Sequence, residues 1–285
     1  MKNLKLAAVC LSCLTMTGCS ALNFSVEGLI NAPKLTSEQS EIHQALIESV
    51  GSNITLKYPK NGEYRSAYVI ANIDDEPTDE AMVFYEYTSN GSEEDGLRVN
   101  ILDKDENGKW YSVKELAGAG TDIDQVIISP MGSNNQTDVF VGYQNLTNDE
   151  KTMEIYSYTD GDFKRVALDT YSVLEPLDIN NDGYIELITI QRSTNNDTGA
   201  VTAKASMLNM KNNEITRGEN VDMCDNVTSY VSSKTGMLDS GRRAIFIDGL
   251  TADGKLQTEI IYYRYSGLQN PMQLRSEKLL PLCTR

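Results

Sequence analysis

Short apolar runs alternate with clusters of Gly, Asn, Asp and Pro along most of the chain after residue 53. The runs are rich in Val, Ile, Tyr and Phe, which favour extended strands. Asn-Gly and Asp-Gly pairs separate many of them and supply the positive φ angles of tight hairpin turns. The strand candidates are Ser66–Ile73, Ala81–Tyr87, Leu97–Leu102, Trp110–Val113, Val126–Ile128, Asp138–Tyr143, Met153–Tyr158, Tyr184–Ile190, Ala200–Leu208, Ala244–Asp248 and Gln257–Tyr265. We therefore predict an all-β body over residues 52–285.

Four units of this pattern recur, each with a turn-rich segment that leads into an apolar strand. The alignment points are Glu80, Asp138, Glu186 and Arg243, spaced by 58, 48 and 57 residues. A period of roughly fifty residues with three or four strands per unit is typical of β-propeller blades. We expect β-propeller-like repeats with four or five blades, the fifth formed by pairing of Asn53–Tyr58 with Leu279–Cys283. A β-sandwich or two tandem β-domains are the alternatives.

The pattern changes to helical spacing over residues 36–51, where apolar side chains recur every three or four positions. Thr36 and Gln39 match a capping box at the start, and Gly51 ends the segment. We predict one short α-helix here. His43, the single histidine of the chain, lies beside the apolar stripe, and we interpret it as a structural helix residue. Because the chain has no second His and no GxSxG motif, histidine-dependent catalysis has little support.

The chain opens with two lysines and an apolar run over residues 6–16, which is too short to span a membrane but fits a signal peptide. The run ends in Met-Thr-Gly-Cys, which resembles the bacterial lipobox with Met16 where Leu is usual. The resemblance implies cleavage before Cys19 and a diacylglycerol group on its thiol. An ordinary secretory signal is the alternative. We expect a lipoprotein signal peptide at 1–18 and a tether at 19–35.

The acidic charge of the chain argues against one class of partner, and its cysteines are consistent with an extracytoplasmic location. The 285-residue chain has 25 Lys and Arg against 41 Asp and Glu, a formal charge of −16. We expect no nucleic-acid partner, because phosphate binding requires clustered Lys and Arg. Attachment to the membrane is expected through lipid on Cys19, at the extracytoplasmic face. A disulfide between Cys224 and Cys283 can persist in that compartment, and two separate buried thiols are the alternative.

One turn-rich segment, residues 178–186, places oxygen-bearing groups at alternate positions and a Gly at the sixth. These groups are the side chains of Asp178, Asn180, Asp182 and Glu186 and the backbone carbonyl of Tyr184. Calcium takes six to eight oxygen ligands, and the Gly permits the sharp turn. Thr189 stands where an EF-hand needs Glu, so we predict a calcium loop flanked by strands. A turn closed by its own side chains without metal is the alternative.

The loop and the apolar strand after it resemble the FG-GAP or VCBS-type repeat of bacterial surface proteins and integrin-like β-propellers. The specific match covers about thirteen residues, and the weaker repeat covers roughly residues 60–275. The resemblance implies one calcium ion at Asp178–Glu186. The related segment Asn72–Glu80 has Pro77 in place of the turn Gly, so ion binding there stays open, and the fourth unit has Arg243 in place of the acid. With the lipobox, the arrangement resembles lipoproteins of Gram-positive gut bacteria.

Two classes of function follow from these observations. The first is a non-catalytic, lipid-anchored binding protein with a protein or glycan ligand at its loop-rich face. The alternative is an envelope enzyme that acts on polysaccharide or peptidoglycan through a pair of carboxylates. With 41 acidic residues, the sequence singles out no such pair. We expect the binding protein, with calcium stabilising one blade.

Overall fold

The computed structural model describes residues 35–74, 76–88, 96–130, 137–145, 150–159, 161–194, 197, 200–211, 214–265 and 267–271. The chain divides into two compact units, Met1–Ser40 and Glu41–Arg285, and only residues 35–40 of the first unit are described. The predicted signal peptide, residues 1–18, lies outside the described residues, as does the tether apart from residue 35. Both segments therefore stay predictions.

Helix α1, Ser37–Val50, begins at the predicted capping box. Thr36 Oγ1 accepts a hydrogen bond from the Gln39 N–H, and Gln39 Oε1 accepts one from the Thr36 N–H, each at 3.1 Å. These reciprocal bonds satisfy two amides that the helix itself leaves unpaired. Gly51 follows with a φ of 84°, which glycine adopts without strain, and its N–H donates to the Ile47 carbonyl. No helix within the described ranges is long and apolar enough to cross a membrane.

The rest of the described chain forms antiparallel strands in four sheets, which confirms the all-β prediction. The strands are β1 Ile54–Leu56, β2 Tyr68–Ala71, β3 Glu80–Tyr87, β4 Leu97–Lys104, β5 Trp110–Ala117, β6 Asp122–Pro130, β7 Thr137–Gln144, β8 Lys151–Thr159, β9 Asp162–Tyr171, β10 Val173–Leu177, β11 Glu186–Thr194, β12 Val201–Lys211, β13 Glu214–Asp222, β14 Val227–Met237, β15 Arg243–Thr251, β16 Leu256–Arg264 and β17 Gly267–Gln269. Every sheet is built from strands that lie close together in the sequence.

Three of the sheets are four-stranded meanders, in the orders β6-β7-β8-β9, β10-β11-β12-β13 and β14-β15-β16-β17. In the first sheet, β3, β4 and β5 follow the same path. The outer edge of β3 is shared, because β2 pairs with residues 80–83 and β1 pairs with residues 85–87. The structure thus places β1 in the first sheet, whereas we had expected it in a separate fifth blade. Its expected partner, Leu279–Cys283, lies outside the described residues.

The repeat spacing predicted from the sequence corresponds to one unit of this topology. Glu80, Glu186 and Arg243 each begin the second strand along their sheet, and Asp138 is the second residue of β7. Equivalent sequence positions therefore occupy equivalent places in four consecutive sheets. The number of blades and the closure of a ring stay predictions.

Apolar side chains pack between consecutive sheets, and the central strands are buried on both faces. In β7, Val141 contributes to the cluster shared with the first sheet, and Phe140 contributes to the cluster shared with the third. In β11, Leu187 contributes to the cluster shared with the second sheet, and Ile188 contributes to the cluster shared with the fourth. Burial on both faces explains why these strands read as continuous apolar runs rather than as alternating ones.

Helix α1 covers the remaining face of the first sheet. Ile42 and Leu46 are fully buried there in a cluster that includes Trp110. His43 Nδ1 lies 2.8 Å from the Tyr68 hydroxyl oxygen, and the two rings meet edge to face. The histidine thus helps to dock the helix, as its structural interpretation predicts.

Candidate metal centre

The predicted calcium loop connects β10 to β11, which pair antiparallel in the third sheet. Leu177 and Glu186 are cross-strand partners, so the loop connects two residues that lie directly opposite each other at the end of the strand pair. Asn181 and Gly183 have positive φ angles of 62° and 97°. Asn and Gly tolerate this left-handed conformation best, so the Asn-Asp-Gly sequence permits the turn.

Side-chain oxygens hold the backbone of the loop from within. Asp178 accepts hydrogen bonds from the Asp182 N–H at 3.1 Å and the Gly183 N–H at 3.3 Å. Asn180 Oδ1 accepts from the Asp182 N–H at 2.8 Å, and Asp182 Oδ1 accepts from the Tyr184 N–H at 2.9 Å. These Asx-type turns aim several oxygens toward one point.

Three carboxylates converge in the loop. One carboxylate oxygen from each of Asp178, Asp182 and Glu186 lies within 4.8 Å of the other two, and no other described group of acidic, His or Cys side chains meets this criterion. Asp178 and Glu186 are buried, whereas Asp182 is exposed. The Asn180 amide lies among them, because its Nδ2 donates to Asp182 Oδ2 at 2.9 Å and to Glu186 Oε1 at 2.7 Å.

The electrostatics of the loop favour a cation. Burial raises the pKa of Glu186, a hydrogen bond from the Ile179 N–H at 3.0 Å lowers it, and the charges of Asp182 and Asp178 raise it. The ionised carboxylates therefore repel one another in a partly dehydrated place. A cation bound among them would offset that repulsion.

One positive charge reaches the loop from the fourth sheet. Arg243 Nη1 lies 2.9 Å from Asp178 Oδ2 and donates to the Asp178 carbonyl at 3.0 Å. The sequence marked Arg243 only as a departure from the acidic pattern of the repeats. The structure shows that its guanidinium pairs with the loop of the preceding unit. One arginine against three carboxylates leaves two negative charges, which matches a divalent cation.

The donor set fits calcium in kind, since carboxylate and amide oxygens are its usual ligands. Asp178, Asn180, Asp182 and Glu186 are brought together as predicted. Asn180 would ligate through Oδ1, so its amide would turn about its terminal bond on binding. The Tyr184 side chain is 65% exposed, so this residue contributes to the loop through its backbone.

The related segment Asn72–Glu80 shares one feature with this loop: the Glu that begins the second strand of its sheet accepts a hydrogen bond from the amide of the Ile seven residues earlier. We call this shared contact the frame; the other described contacts of the two segments differ. Glu80 Oε2 accepts a hydrogen bond from the Ile73 N–H at 2.8 Å, as Glu186 does from Ile179. Asn72 Nδ2 donates to backbone carbonyls of its own segment, those of Glu76 and Thr78. The described side chains here form no cluster of three carboxylates.

Of the three cysteines with predicted roles, Cys224 lies among the described residues. Cys224 is buried after β13, and its N–H donates to Glu259 Oε2 at 2.9 Å. Cys19 and Cys283 lie outside the described residues. Lipidation of Cys19 and the pairing of Cys224 with Cys283 therefore stay predictions.

A cavity of about 770 Å³ is a further feature that the sequence does not predict. It is lined by the segment Asn61–Tyr64 and by β6, β10 and β14, the first strands of three sheets. Two of its carboxylates, Asp124 and Glu175, come from different sheets. No motif signals the cavity, because its polar residues lie about fifty residues apart in the chain.

In comparisons with known proteins, no family model matches the chain, and no curated protein matches it. The resemblance to FG-GAP or VCBS-type repeats therefore rests on the carboxylate loop and on the recurring unit.

Proposed function

We propose that the protein is a lipid-anchored, extracytoplasmic binding protein whose β-propeller-like body is stabilised by one calcium ion. The observation that carries this proposal is the convergence of Asp178, Asp182 and Glu186 in a tight loop between two paired strands. Four consecutive sheets with equivalent second strands support the propeller-like arrangement, for which we keep four or five blades.

In this proposal the ion is held by side-chain oxygens of Asp178, Asn180, Asp182 and Glu186 and by the Tyr184 carbonyl. Calcium ties the end of β10 to the start of β11, and through the ion pair of Asp178 with Arg243 it steadies the contact between the third and fourth sheets. Its role is structural, because it fixes a loop that the protein presents to solvent.

Binding rather than catalysis is favoured by the state of one cavity carboxylate, that of Asp124. Asp124 accepts hydrogen bonds from Asn61, Lys151 and Tyr171, at 2.8, 2.8 and 2.7 Å. These donors occupy the lone pairs that a nucleophile or general base needs. Asp124 is therefore poorly suited to act as a nucleophile or general base.

The anchor is tested by labelling cells with a clickable fatty acid and isolating the full-length protein. We expect label on the wild type and on Cys13→Ala, since that residue leaves with the signal peptide. Cys19→Ala is expected to carry no label. Equal labelling of the two variants would contradict lipidation at Cys19.

A further inference from the structure

The cavity lined by Asn61–Tyr64, β6, β10 and β14 is held open by contacts between its walls. Its volume of about 770 Å³ lies within the range of small-ligand sites. Side-chain hydrogen bonds join each wall to the next: Asn61 Nδ2 to Asp124 Oδ1 at 2.8 Å, Gln125 Nε2 to the Leu174 carbonyl at 2.9 Å, and the Ser233 hydroxyl to Glu175 Oε1. Because these bonds link the Asn61–Tyr64 segment with the second, third and fourth sheets, the cavity is formed before any ligand arrives.

Asp124 and Glu175, two carboxylates of the cavity, differ in how their charge is balanced. Asp124 is 2% exposed and pairs with the Lys151 ammonium at 2.8 Å, with Asn61 and Tyr171 as further donors. Its charge is therefore fully compensated within the protein. It serves to hold the walls together.

Glu175 carries the uncompensated charge. Its carboxylate is half-buried, and the Ser233 hydroxyl is its one hydrogen-bond partner among the described residues, none of which forms an ion pair with it. Burial raises the pKa of Glu175, Ser233 lowers it, and the charge of Asp124 raises it. Lys234 also lines the cavity, but its side chain is exposed. A cationic group beside Glu175 would offset the cost of burying its charge.

Apolar side chains stand at the solvent-exposed edge of the same cavity. Ile185 is 39% exposed and Val231 is 58% exposed, and both contribute to its lining. Ile185 belongs to the carboxylate loop, so the candidate calcium site borders the cavity. A carboxylate inside and apolar groups at the edge match a ligand with a charged tip on an apolar stem.

We propose that this cavity binds a primary ammonium group on a short apolar stem, such as the side chain of a lysine in a basic peptide, with Glu175 as its charge partner. The stem contacts Ile185 and Val231 while the ammonium pairs with the Glu175 carboxylate. The formal charge of −16 raises the concentration of such cations near the surface. This inference names the ligand class of the proposed binding function and rests on it.

The test is a calorimetric titration of the full-length protein in detergent with n-hexylamine, which is an ammonium ion at pH 7. 1-Hexanol serves as the neutral probe of matched length. We expect hexylammonium to bind at least tenfold more tightly than 1-hexanol. Glu175→Gln should weaken hexylammonium binding at least tenfold, and Glu106→Gln, on an exposed hairpin turn, should leave it unchanged.

Equal affinity for the two probes would overturn the proposal without reliance on any variant. Unchanged binding by a folded Glu175→Gln protein would also overturn it, as would binding of a neutral oligosaccharide with no binding of hexylammonium. Titrations with calcium and with chelator separate this inference from the metal proposal. Loss of the calcium effect alone rejects the metal role and leaves the ammonium site standing.

Discussion

The loops Asp178–Glu186 and Asn72–Glu80 share one frame and differ in their chemistry. In both, the Glu that begins the second strand of the sheet accepts a hydrogen bond from the amide seven residues earlier, that of Ile179 or Ile73. Both of these isoleucines are buried in a cluster between sheets. The frame therefore belongs to the fold itself and forms with or without three converging carboxylates.

The interiors of the two loops show what a metal site needs beyond that frame. Glu186 Oε1 accepts a hydrogen bond from Asn180, whereas Glu80 Oε1 has no partner among the described residues. Gly183 permits the sharp turn of the third-sheet loop, and Pro77 stands at the matching position of the first. The comparison teaches that resemblance to a repeat predicts this one hydrogen bond of the frame, while the turn residues and the individual ligands decide whether an ion binds.

The largest effect on the free energy of unfolding is expected at the buried isoleucine that the two loops share. Ile73 is 2% and Ile179 is 1% exposed, so Ile73→Ala and Ile179→Ala should each lower the free energy of unfolding by about 3 kcal/mol. Urea unfolding with chelator present measures both. A loss below about 1 kcal/mol in only one of them would show that the frames are not equivalent.

The next effect is the pH dependence that Glu80 gives to the free energy of unfolding. Burial raises the pKa of Glu80 to about 7, while Ile73 lowers it and nearby acids raise it. Since the folded state holds this proton more tightly than the unfolded chain does, Glu80 costs little stability below pH 4.5. Between pH 4.5 and 7 the unfolded chain ionises while the folded residue keeps its proton, so stability falls by on the order of 3 kcal/mol over this range and stays low above pH 7.

Glu80→Gln should therefore match the wild type near pH 4.5 and exceed its stability by on the order of 3 kcal/mol at pH 8. Urea unfolding at several pH values in chelator measures the difference, with Glu106→Gln as the exposed control. A difference between Glu80→Gln and the wild type that does not change with pH would contradict the raised pKa.

The smallest effect is the one specific to metal. Asp182→Asn removes one carboxylate from the third-sheet loop, and Glu76→Gln makes the matched change in the first. We expect Asp182→Asn to weaken calcium binding about tenfold, which removes about 1.4 kcal/mol of calcium-dependent stability at a fixed ion concentration. Glu76→Gln should leave the calcium-dependent shift in melting temperature unchanged. An equal loss of calcium-dependent stability in both variants would show that calcium binds elsewhere.

The candidate metal site was predictable because its groups lie within nine consecutive residues. Local turn chemistry and the pairing of the flanking strands bring Asp178, Asn180, Asp182 and Glu186 together. Arg243 was not predictable as a partner, because it meets Asp178 only when the third and fourth sheets pack. The cavity was hidden for the same reason, since Asp124 and Glu175 approach one another only through tertiary structure.

The fold likewise has parts that the sequence predicts and parts that it does not. Strands with buried apolar runs, such as β7 and β11, were predicted from their composition. Strand β14 was missed because its side chains are mostly exposed, and pairing with β15 along nearly its whole length makes it a strand. The sequence pattern thus identifies the buried centre of each sheet better than its edges.

The most direct test of the account is a crystal structure of the protein grown in excess calcium. We predict one ion at Asp178–Glu186, about 2.3–2.6 Å from its oxygen ligands, with the Asn180 amide turned so that Oδ1 faces the ion. An ordered loop without an ion, in which Asn180 Nδ2 still donates to Asp182 and Glu186, would contradict the calcium site.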